Sequence, residues 1–244
     1  MASAINSVAG GGSLITFPLL TLGLHMPVKI ANATNSVALW PGSLGGAFGF
    51  KNLLPKTGHY LKTLFLPTAI GSAMGALLFM NTSEHGFKLA VPFLILVADL
   101  LLFLQPQVKA FAARDGKKTP LWVGCILQFF VAAYGGYFGA GMGIMMLAAF
   151  ALYIEGTIHE LNAVKNWLGV IINFVCSLVF VFQRLIDPLP ALALTCGSIF
   201  GGLGSSGGTS STPKPLLANI CRMLMRRVSF CSLELRDPFS RSLE

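Results

Sequence analysis

Two glycine clusters set within apolar sequence carry most of the chemistry this chain can offer. The first is Gly10, Gly11 and Gly12, followed by Ser13; the second is Gly139, Gly141 and Gly143, interleaved with Ala140 and Met142. Glycine weakens a helix by about 1 kcal/mol relative to alanine, so both clusters read as helix breaks. A break exposes backbone N–H groups and about half a positive charge at the start of the next helix. Such ends bind anions, and glycine lets a ligand approach the backbone closely. At nearly the same distance beyond each cluster lies an asparagine pair, Asn32 and Asn35 in one case, Asn162 and Asn166 in the other. One asparagine suffices to cap a helix; the second leaves an amide able to donate to an oxyanion. Lys165, between Asn162 and Asn166, either adds a full charge or extends its ammonium to the membrane interface. Asp99, in LVADLLLFL, is the one carboxylate well inside an apolar run, which makes it the candidate for ion coupling.

The elements that position these residues must sit in lipid. Hydrophobic residues form 54% of the 244 and charged residues 11%, against about 25% charged in a soluble domain. Seven apolar segments can be read, at about 2–24, 30–50, 62–80, 88–105, 121–154, 163–183 and 188–204. A bilayer span takes about 20 residues, so these predict an all-α, polytopic bundle; the alternation of a transmembrane barrel is absent. The fifth segment is too long for one straight span, and its excess coincides with the Gly139–Gly143 break. The net charge of +8 comes from loops, which argues for cytoplasmic loops rather than for nucleic acid. Lys109, Arg114, Lys117 and Lys118 place the 106–120 linker in the cytoplasm, and Lys51, Lys56 and Lys62 place the earlier loop there too.

Break, second arm, polar turn and asparagine pair recur in the same order, so the chain reads as two homologous halves. The first spans 1–105, with the front arm of its first helix cut short; the second spans 121–204. One insertion aligns the two asparagine pairs. An eighth span, which the duplication calls for, is missing, and 205–244 reads as a disordered Ser/Pro/Arg-rich tail. Glycine-interrupted segments in corresponding positions point to a transporter's binding site, here a shared one near the bilayer midplane. If each broken segment is re-entrant, each half makes an odd number of crossings and the halves are inverted.

The stretches INSVAGGGSLITFPLLTLGL, ANATNSVALWPGSLGGAFGF and LNAVKNWLGVIINFV resemble the sulfite exporter TauE/SafE family of bacterial membrane permeases. The resemblance implies transport of sulfite, sulfonates or related small anions across the cytoplasmic (inner) membrane. It points to the two breaks and the two asparagine turns as the matching positions. The expected partners are a small anionic substrate and the lipid bilayer, with no nucleic acid, cofactor or metal; the histidines fall in separate loops and the cysteines form no CxxC pair. An anion channel is the nearer alternative. A membrane-embedded enzyme is the remoter one, for no second carboxylate pairs with Asp99 within the membrane and no nucleophile–base pair is evident.

Overall fold

The computed structural model describes residues 12–49, 54–114 and 119–206. Gly10, Gly11, the lysines at 51, 117 and 118, and the tail from 207 onward lie outside the described residues. Within them every regular element is helical. The chain runs through α1 (Ser13–Pro18, continued by a π turn at Leu19–Gly23), α2 (Val28–Gly49), α3 (Leu54–Asn81) and α4 (Glu84–Arg114). It continues through α5 (Leu121–Tyr137), α6 (Met142–Tyr153), α7 (Ile158–Phe182) and α8 (Pro188–Ser206). The apolar segments therefore become helices, with the fifth divided into α5 and α6. One boundary differs: α4 stays helical to Arg114, into the segment expected to be a loop. Between Gln105 and Arg114 Pro106 is the one helix breaker, and a proline kinks a helix without having to end it.

α5 and α6 form a hairpin. Thr119 N–H, just before α5, donates to Leu152 O near the end of α6 at 3.1 Å. A side-chain carbon on Gly124 would meet the Tyr153 ring at 2.6 Å, and one on Gly135 would meet Met142 Sδ at 2.8 Å. The arms thus pair antiparallel from base to tip, and α6 returns to the end from which α5 set out. Their 17 and 12 residues rise about 25 and 18 Å, which carries the tip deep into the bundle. This is the re-entrant arrangement expected from the overlong fifth segment.

The halves are inverted. Trp40 meets Phe174 edge-on (5.7 Å between centroids) and Phe48 meets Trp167 likewise (5.6 Å), so α2 and its counterpart α7 run antiparallel. Cross-half packing is reciprocal: α2 lies along α8 while α7 lies along α3. Asp187 N–H donates to Thr34 Oγ1 (3.2 Å) and Ser198 Oγ to Ala38 O (2.7 Å) in the first pair. In the second, Phe79 packs on Phe180 at 5.1 Å. Two copies exchanging the same contact is what a two-fold relation between halves produces.

Glycine decides the tightest seam. A Cβ on Gly71 or Gly75 of α3 would overlap the carbonyl oxygen of Phe129 or Ala133 in α5, and one on Gly136 would overlap Ser72 O. Backbone lies directly on backbone, as small residues permit in membranes. The outward faces carry Phe93 (71% exposed), Phe182 (82%) and Leu189 (78%). Apolar exposure on this scale suits a lipid solvent, and α3 (within Thr57–Asn81) and α7 (Ile158–Phe182) are each long and apolar enough to cross one.

Candidate functional site

The hairpin tip occupies 138–141. Phe138 N–H still closes on Tyr134 O at 2.9 Å, and then Gly139 (φ +77°) and Gly141 (φ +78°) turn the chain through the left-handed region. That region is costly for any residue with a Cβ, so the two glycines make the reversal possible. Gly141 caps α6 without a side-chain hydrogen bond. Among the described residues, the N–H groups of Ala140, Gly141 and Gly143 have no hydrogen-bond acceptor. They are buried, so they leave a set of donors at a helix start deep in the bundle.

The first asparagine pair belongs to this tip. Asn32 Nδ2 donates to Tyr137 O at 3.2 Å, bridging the halves, and its Oδ1 is buried with no partner. Asn35 Oδ1 accepts from Thr16 Oγ1, which also reaches Gly12 O at 3.3 Å. Gly12 and Ser13 are buried at the start of α1. The segment after the first break lies against the second break: Phe17 meets Phe138 edge-on at 5.2 Å, and Leu14 is 3.9 Å from where a Gly141 Cβ would stand.

The second pair sits in α7, with Asn162, Lys165 and Asn166 each under a tenth exposed. Asn162 Oδ1 and Asn166 Nδ2 are again buried without partners. An unsatisfied buried polar atom costs about 1–3 kcal/mol, so these orphans cluster where a polar ligand would repay them.

Two expectations need correction. The asparagines do not open their helices: α7 begins one turn earlier under a capping box in which Thr157 and Glu160 bond reciprocally, and α2 begins at Val28. The insertion used to align the pairs does not exist. Residues 31–36, 38–39, 42–43 and 46–47 of α2 are buried, and so are all the residues 130 positions later in α7. A bulge would have shifted that stripe, so Lys165 stands in Asn35's place and Asn166 in that of Ser36. The two pairs also lie apart. With Phe48 opposite Trp167 and Trp40 opposite Phe174, helical rise sets Asn32 and Asn162 roughly 30 Å apart along the seam. Antiparallel copies necessarily carry equivalent positions to opposite ends.

Asp99 lies on the stripe of α4 that faces the bundle, beside Ala98, which is 1% exposed and packs on Gly141. Sequence reasoning passed over the tyrosines of YGGY, although aromatic hydroxyls flanking a break in apolar sequence are a readable signal. Tyr134 Oη donates to Ala140 O at 2.7 Å, and Tyr137 Oη to Thr82 Oγ1 at 3.3 Å. It also passed over Gln128, wholly buried in α5, whose Nε2 donates to Thr68 Oγ1 at 3.0 Å. Among the described residues no three His, Cys, Asp or Glu side chains group as a metal site.

Comparison with known proteins places this architecture. A probable membrane transporter protein of Haemophilus influenzae is 27% identical over 201 residues, covering 82% of this chain and 78% of that protein. The probable membrane transporter protein YfcA of Escherichia coli K12 is 28% identical over 179 residues, covering 70% of this chain and 66% of the relative. A probable membrane transporter protein of Sinorhizobium is 26% identical over 208 residues, covering 82% and 76%. No solved structure matches the chain. The family model described as sulfite exporter TauE/SafE matches residues 1–225, and the chain, a helical membrane protein, belongs to that family.

Proposed function

We propose that this chain is a permease that moves small sulfur-containing anions, sulfite or sulfonates, across the bacterial cytoplasmic membrane by alternating access. The observation that carries the reading is the α5–α6 tip, where unpaired N–H groups at a helix start lie next to Asn32 of the opposite half. Those donors, glycine-lined and buried, suit a compact oxyanion better than a cation or a bulky organic molecule. Asn162, Lys165 and Asn166 supply a second polar station toward the other end. The packing around the tip is apolar: Phe17 meets Phe138 edge-on, and Met142 and Ile172 are buried. Close apolar packing of this kind disfavours an open aqueous pore, and inverted halves favour rocking over a channel. The basic loops assign the base of the α5–α6 hairpin to the cytoplasm.

Flux of labelled sulfite into proteoliposomes holding the purified chain tests this. Asn162→Ala should reduce flux at least ten-fold without lowering thermal stability in detergent, because it removes a buried unsatisfied oxygen. Full flux in both Asn32→Ala and Asn162→Ala would overturn the placement of the stations. Absence of sulfite flux in the unaltered chain would overturn the substrate.

A further inference from the structure

We propose that Asp99 is a proton-binding site whose occupancy controls the affinity of the α5–α6 tip for its anion; this rests on the transport reading above. In the apolar stretch of α4 the exposed residues include Leu89, Phe93, Leu96, Val97, Leu100 and Phe103, whereas Phe87 and Ala98 are buried and Leu94, Ile95 and Asp99 half-buried. Asp99 therefore faces protein, not lipid, as intramembrane carboxylates with a function do.

The helix that carries it packs on the tip. Ala98, its neighbour, sits 2.9 Å from the position of a Gly141 Cβ. The Tyr134 hydroxyl ties α4 to the tip, lying 3.2 Å from Leu94 O and 2.7 Å from Ala140 O, and it is within Coulombic reach of Asp99. Among the described residues no cation opposes the carboxylate from the helices packed on α4. The segment α6 has no charged residue at all, and the one in α2, Lys29, is engaged with Thr82 O (2.6 Å) and Met80 O (3.3 Å). An ionised Asp99 thus repels an anion at the tip through a low-dielectric medium. Protonation removes that charge, so the proton and one negative charge of cargo enter together and leave together.

The test separates coupling from transport. In proteoliposomes at equal pH on both sides, sulfite counterflow should persist within three-fold in Asp99→Asn. Accumulation driven by an imposed pH gradient should fall at least ten-fold in that variant and survive in Asp99→Glu. Sulfite affinity should strengthen as pH falls in the unaltered protein and become independent of Asp99 titration in Asp99→Asn. Gradient-driven accumulation equal to that of the unaltered protein in Asp99→Asn would overturn the coupling role while leaving the permease reading intact. No counterflow in the unaltered protein would overturn that reading, and the coupling with it.

Discussion

In α2, Asn35 accepts a hydrogen bond from the Thr16 hydroxyl; 130 positions later, Lys165 holds the corresponding place in α7, and Met146 stands where Thr16 would be. The helices around these residues bury the same stripe and start at corresponding residues, Val28 and Ile158. The halves therefore share their packing and differ in their polar chemistry. Burial pattern is set by the helix-on-helix seam, which any residue of suitable size satisfies. Hydrogen bonding is set by particular atoms, and one substitution changes it. A duplicated scaffold can thus stay symmetric in shape while a cationic residue is confined to one half.

The comparison is most sharply broken by topology. In a background freed of native thiols, cysteines at His159 and Tyr60 should label from the same side of the membrane, and one at His85 from the other. All three positions lie near helix ends, with His85 and His159 exposed, and Glu155 N–H meets Tyr60 Oη at 3.5 Å. Labelling of His159 and His85 positions from one side would abolish the inverted relation.

The next effect concerns the glycine seams. Gly75→Leu would drive a side chain into the Ala133 carbonyl, whereas nothing lies within 4 Å of a Cβ on Gly197 in α8. Overpacking typically costs about 1–3 kcal/mol, and backbone contact places Gly75 at the upper end or beyond. Thermal unfolding in detergent should show a large loss for Gly75→Leu and little change for Gly197→Leu. Equal losses would mean that the two halves are seated alike.

The smallest effect sharpens the comparison at the helix starts. Thr157→Ala removes one side of the capping box on α7 and should cost about 1 kcal/mol, read by the same unfolding experiment. Val28 begins α2 directly after Pro27, so Pro27→Ala should cost less. A larger loss from Pro27→Ala would show that α2 depends on its entry turn more than α7 does.

Much of the fold was legible because its signals are local. Apolar run length marked the helices, the surplus length of 121–154 with glycines at its centre marked the hairpin, and the repeated order of motifs marked the duplication. The site was legible only in part. Asn32, Asn35, Asn162, Lys165 and Asn166 are all buried, but the sequence pattern predicts a polar turn where the structure continues a helix. Residues 157–166 hold both a capping box and the asparagines, and Thr157 with Glu160 is the true start signal. Thr16 and Gln128 carry no local mark, and Tyr134 only its place beside the break; each matters through a partner at a distance in sequence, namely Asn35, Thr68 and Leu94.

What the sequence determined by itself was the solvent, the helices and the break points, since each follows from side-chain transfer to lipid or from glycine's backbone freedom within a single segment. What the tertiary structure decided was register: which residues 130 apart are equivalent, that Asn32 meets the opposite hairpin, that the two asparagine pairs part to opposite ends, and that α4 seats Ala98, the neighbour of Asp99, on a glycine tip. Those outcomes depend on how antiparallel helices seat their small residues against one another. Such seating is a non-local balance of close contacts, and no single stretch of the chain contains both sides of it.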